Sequence, residues 1–67
     1  MTEMTWKEVL KEKHFVALWE NVNGVWSQNY KMENGHLYQL KGNDWVISND
    51  AEHIVENIGY NNIRFFA

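Results

Sequence analysis

The chain reads as an α+β domain: an N-terminal helix, a four-stranded antiparallel meander, a second helix and a short C-terminal strand. Three observations predict this. Asn23-Gly24 and Asn34-Gly35 are each flanked by aromatic and β-branched residues, and Asn-Gly pairs tolerate the positive φ angles of a tight hairpin turn. Lys41-Gly42-Asn43-Asp44 repeats the turn signal. Apolar residues return at helical spacing only at the two ends of this central stretch.

The first helix is expected over Trp6 to Lys13. Thr5 and Glu8 have capping-box spacing, and Met4 and Val9 are placed for the hydrophobic staple. Trp6, Val9 and Leu10 form one stripe, with Lys7, Glu8, Lys11 and Glu12 facing away. So short a helix is not stable alone in water and needs that stripe buried on a sheet.

The first strand spans His14 to Asn21. Phe15, Ala17 and Trp19 share one face, and Val16 and Leu18 the other; apolar residues on both faces predict a central strand or one covered on both sides. The turn at Asn23-Gly24 leads to a second strand, Val25 to Met32. Trp26, Gln28, Tyr30 and Met32 alternate there with Ser27, Asn29 and Lys31, giving one buried and one wet face. Asn34-Gly35 then opens strand three, His36 to Lys41, and a short turn opens strand four, Trp45 to Ser48.

Ser48, Asn49 and Asp50 offer three N-caps for the second helix. Ala51, Ile54, Val55 and Ile58 recur at i, i+3, i+4 and i+7, predicting a buried stripe. Gly59 stands where a C-cap wants a left-handed residue. Asn61-Asn62 turns the chain, and Ile63 to Phe66 reads as the last strand. Two placements of that strand are open. At the side of the sheet it would invite a second copy or a partner strand; inside the sheet, Phe65 and Phe66 would be buried on opposite faces.

Sixty-seven residues make one small domain with a thin core. There is no cysteine, so disulfides and thiolate metal sites are excluded. Four Trp, three Tyr and three Phe supply the core, yet so small an interior leaves some rings at the surface, where large apolar groups mark contact sites. Net charge is −3, from six basic and nine acidic side chains without long runs of one sign, which disfavours a nucleic-acid binder. No apolar run approaches a membrane span. Met1-Thr2-Glu3-Met4 lacks the basic and apolar regions of a signal peptide, so the expected location is cytoplasmic.

Little in the chain points to chemistry. His14, His36 and His53 show no ligand spacing with one another. Asp50, His53 and Glu56 fall at three-residue steps along the second helix, which suits a solvated face better than a metal or catalytic set. Ser27 and Ser48 lie in no nucleophile elbow, and the four glycines are dispersed rather than gathered into a phosphate loop. No catalytic, cofactor or metal site is expected, and no enzyme.

The aromatics remain. Trp19, Trp26, Tyr30, Tyr38 and Trp45 lie along adjacent strands. Most belong to the core, and a subset is expected to form an exposed platform. Trp26, Tyr38 and Trp45, with a carboxylate rim that includes Glu33, are the expected partner-binding residues, since Trp and Tyr dominate interface energies. The expected partner is a host or cellular protein. The chain would act as a small inhibitor, anti-activator or adaptor, of the kind phage and mobile elements encode, by occupying or mimicking a surface. The alternative is a single-stranded nucleic-acid module stacking bases on the rings; it requires Lys31, Lys41 and Arg64 to gather on the aromatic face.

Overall fold

The computed structural model describes residues 1–58 and 63–67, the last two residues of the first stretch by backbone alone. The fold is a small α+β arrangement with one antiparallel sheet and two helices. The elements run β1 (Glu3–Met4), α1 (Trp6–Val9), β2 (His14–Asn21), β3 (Gly24–Glu33), β4 (His36–Lys41), β5 (Asp44–Ile47), α2 (Asp50–Ile58) and β6 (Ile63–Phe66). The sheet has six strands in the order β1-β6-β2-β3-β4-β5. It is therefore larger than the four-stranded meander expected from the turns. β2 to β5 follow one another as hairpins, and the sheet continues past β2 through β6 and β1.

The sixth strand lies inside the sheet. β6 pairs with β2 along its length, Val16 opposite Phe66 through Trp19 opposite Ile63. Its other side meets β1, with Glu3 opposite Phe66 and Met4 opposite Phe65. Thr2 and Ala67 extend that ladder by exchanging two backbone hydrogen bonds of 2.9 and 3.0 Å. A homodimer through β6 would thus require β1 to leave. The sequence hides β1 because two residues carry no periodicity.

The hairpins follow their turn chemistry with one correction. At Asn34-Gly35 both central residues have positive φ, 53° and 79°, as a type I′ turn demands. The first hairpin turns one residue earlier than expected. Asn21 pairs with Gly24, so Val22 and Asn23 form the loop, and neither has positive φ. The Asn21 side-chain oxygen accepts the Asn23 N–H at 2.7 Å and holds this turn. Gly24, at φ 142°, is the first residue of β3.

The helices are shorter, or bury less, than their patterns suggest. Thr5 and Glu8 form the capping box, with bonds of 2.9 and 3.3 Å. α1 nevertheless stops at Val9 rather than Lys13. Lys11 and Glu12 donate to carbonyls only three residues back, a tightening that ends the helix so that His14 can begin β2. In α2, Ile54 is fully buried and Ala51 packs on the core, but Val55 is 57% exposed. The helix touches the sheet along a stripe too narrow to include it. The Ser48 oxygen accepts the Asp50 N–H at 3.0 Å and so serves the start of α2. The Gly59 cap and the Asn61-Asn62 turn lie outside the described residues.

Both helices cover the same face of the sheet. Val9 and Ile54 join Phe15, Ala17, Tyr30, Leu37, Ile63 and Phe65 in the core. The rings interlock: Trp6 meets Phe65 at 5.3 Å, Phe15 meets Phe65 edge-on at 6.2 Å, and Phe15 stacks on Tyr30 at 5.5 Å. Among the described residues, no helix is long and apolar enough to cross a membrane.

Candidate functional site

Side chains alternate across a strand, so the face that neither helix covers follows from register. Phe15, Ala17 and Trp19 point into the helix layer; His14, Val16, Leu18 and Glu20 therefore point away. Pairing then places Lys31, Asn29, Ser27 and Val25 of β3 on that open face. Tyr38 lies opposite Lys31, and His36 opposite Glu33. Ile47 faces Tyr38 and Trp45 faces Leu40. On the other side of β2, Phe66 lies opposite Val16 and Arg64 opposite Leu18.

The open face thus mixes polar groups with a large share of apolar and aromatic side chains, where a solvent-facing sheet is normally polar. Val16, Leu18, Tyr38, Leu40, Trp45 and Phe66 are half-buried, and Val25 and Ile47 are exposed. The His14 imidazole stacks on the Trp45 indole, centroids 5.3 Å apart and planes 11° apart. These rings come from β2 and β5 and meet across the two strands between them. A concavity of about 290 Å³ opens beside them, lined by Val16, Leu40, Trp45 and Phe66 among others.

The Lys31 and Arg64 cations on this face are each paired with a carboxylate. The Lys31 ammonium lies 5.0 Å from the Trp45 centroid and 5.7 Å from that of Tyr38, within cation–π range, and 3.2 Å from the Glu33 carboxylate. Arg64 makes two bonds to Glu3, of 2.9 and 2.8 Å. The bidentate pairing lowers the pKa of Glu3 and raises that of Arg64. Two fixed cations therefore stand among three carboxylates, Glu20 being the third. Lys41 alternates onto the opposite face with Leu37 and Gln39. The three cations that a phosphate backbone would need do not gather.

Three of the four expected partner-binding residues come together here: Tyr38, Trp45 and Glu33, around Lys31. Trp26 does not join them. It lies opposite Trp19, on the helix-bearing side, 48% exposed. The two indoles stack in parallel at 6.2 Å. His14 and Phe66 are members of the open face that the sequence did not single out. Their signal was strand parity, usable only once β6 is placed beside β2.

The Asp50, His53, Glu56 series has another use. Asp50 accepts a hydrogen bond from the Tyr30 hydroxyl at 2.7 Å, and His53 lies 3.8 Å from Glu56 at the surface. Among the described residues, no group of three His, Cys, Asp or Glu side chains could hold a metal ion. No protein-family model, curated protein or solved structure matches this chain.

Proposed function

We propose that the chain is a small protein-binding regulator that docks through the open face of its sheet, blocking or mimicking a surface of a target protein. One observation carries this reading: the face that neither described helix covers holds a large share of apolar and aromatic side chains, with Lys31 and Arg64 already paired to carboxylates. Half-buried Trp and Tyr side chains in a partly desolvated centre are what protein interfaces use as anchors. Glu3, Glu20 and Glu33 would form a polar rim. The paired state of Lys31 and Arg64 supports a protein partner over single-stranded nucleic acid, because freeing either cation for a phosphate means breaking an ion pair already made.

The test uses the tagged protein as bait in lysate of its native host, with and without nuclease. Trp45→Glu is the probe, and Val55→Glu, at an exposed position on α2, is the control. A protein partner captured by the parent and the control in both lysates, and lost from Trp45→Glu, is the expected result. Anchors of this kind are worth about 2 kcal/mol or more, so the loss should be at least about tenfold. Capture that survives Trp45→Glu would overturn the choice of face. Retention that vanishes with nuclease would favour the nucleic-acid reading.

A further inference from the structure

On the other side of the sheet, beside the first turn of α2, lies a second hollow of about 350 Å³. Its wall is the Trp19–Trp26 stack, and Glu20, Asn21, Gln28, Tyr30, Asp50 and His53 line the rest. Its volume falls in the range of small-molecule sites. We infer that this hollow is a binding site for a quaternary alkylammonium group, carried by a free small molecule or by a methylated lysine-type side chain. The site is separate from the open face and does not depend on that face being an interface.

The chemistry follows from what lines it. Trp26 is the ring left half-open to solvent, and an indole offers the strongest aromatic surface to a cation. Negative charge comes from Asp50 and from Glu20, the second carboxylate in the lining. The Asp50 Oδ2 already holds the Tyr30 hydroxyl at 2.7 Å, which fixes that carboxylate beside the indoles. The Tyr30 ring is stacked on Phe15 at 5.5 Å and is nearly wholly buried, so the carboxylate is braced by a core residue rather than a mobile one. Among the described residues, no lysine or arginine lines the hollow, so no resident side-chain amine competes for the place. Asp50 is also the first residue of α2, whose start carries a partial positive charge of roughly half a unit. That is smaller than the full charge of the carboxylate, and the wall opposite is aromatic. With two carboxylates, one imidazole (His53) and an aromatic wall, the lining favours a cation. A soft, weakly hydrated ammonium suits it better than a metal ion, which would need several oxygen ligands.

The experiment is an NMR titration of the indole N–H signals, with tetramethylammonium as probe and tert-butanol as its neutral counterpart of similar shape. Trp6 and Trp45, away from the hollow, are internal references. The expected result is a saturable shift of the Trp19 and Trp26 signals with tetramethylammonium and none with tert-butanol. Asp50→Asn, which keeps an oxygen for the Tyr30 hydroxyl, should weaken binding by about tenfold, as should Trp26→Leu, the scale of a desolvated cation–π contact. Choline and an acetylated trimethyllysine amide are the arms that separate a free small molecule from a side chain, by which binds more tightly. Equal response to tert-butanol, no saturable response to any ammonium, or undiminished binding by a folded Asp50→Asn variant would each overturn the assignment. A saccharide panel that shifts the same signals when the ammonium probes do not would also overturn it.

Discussion

Tyr30 is where the core and the second hollow share an atom. Its ring stacks on Phe15 and its hydroxyl donates to Asp50. Burial, then the Asp50 hydrogen bond and the charge of that carboxylate, push the phenol pKa well above its ordinary value. The direction fixes a pH dependence. Up to about pH 10, the ordinary phenol value, folded and unfolded chains both keep the proton. Above it the unfolded chain loses the proton first, so stability falls as pH rises. Urea denaturation at alkaline pH should show this decline in the parent, and Tyr30→Phe should lessen it. At neutral pH the same substitution should cost about 1 kcal/mol, the net worth of one hydrogen bond. Phe15 touches Trp6, Tyr30 and Phe65, so Phe15→Ala should cost about 3–5 kcal/mol. In so small a domain that approaches the whole stability, and thermal denaturation monitored by circular dichroism would show it.

At the scale of elements, the two at the N-terminus exist for different reasons. α1 is a single turn that no propensity would sustain, and it is held by its cap and by the burial of Val9. The Glu8 carboxyl is kept below its ordinary pKa by the Thr5 backbone N–H and then by the Thr5 hydroxyl. This contribution is present above the ordinary carboxylate range and fades as pH falls through the folded value. Thr5→Ala should cost about 1 kcal/mol, the usual worth of an N-cap, read from the shift in urea midpoint. β1 is two residues long and shields part of the β6 edge, tied there by backbone bonds and by Arg64 to Glu3. An unshielded edge invites another strand. Removing residues 1–4 should therefore produce self-association, visible as a concentration-dependent increase in mass by light scattering. A variant that stays monomeric would show that β1 does not protect that edge.

At the scale of the whole molecule, the two sheet faces divide the work. One carries both helices and the core. The other carries apolar and aromatic side chains among polar ones, with Lys31 and Arg64 paired to carboxylates. If a protein partner docks there, few counterions are released on binding. Affinity should then change only weakly between about 50 and 200 mM salt, whereas phosphate-backbone binding would fall by orders of magnitude across that range. Titration of the captured partner at several salt concentrations checks this.

The meander was legible because each hairpin signal is local: turn residues at Asn34-Gly35, flanked by alternating strands, specify their pairing without reference to the rest of the chain. The capping box at Thr5 and Glu8 was legible for the same reason. The misplaced first turn shows the limit. Asn23-Gly24 has the right residues, but the pairing of Asn21 with Gly24 moved the loop back to Val22-Asn23. The candidate face was half legible. Tyr38, Trp45 and Glu33 could be named as surface groups, but Trp26 belongs to the opposite side, and His14 and Phe66 gave no sign of joining. By itself the sequence determined the fold class, the hairpins and the absence of thiol chemistry, because these depend on residue types and short spacings. Only the tertiary structure decided that β6 lies between β1 and β2, that both helices share one face, and that Asp50 sits beside two stacked indoles. Those outcomes join residues as far as sixty-five positions apart, Thr2 and Ala67, and a one-residue change in register would send every side chain of a strand to the other face.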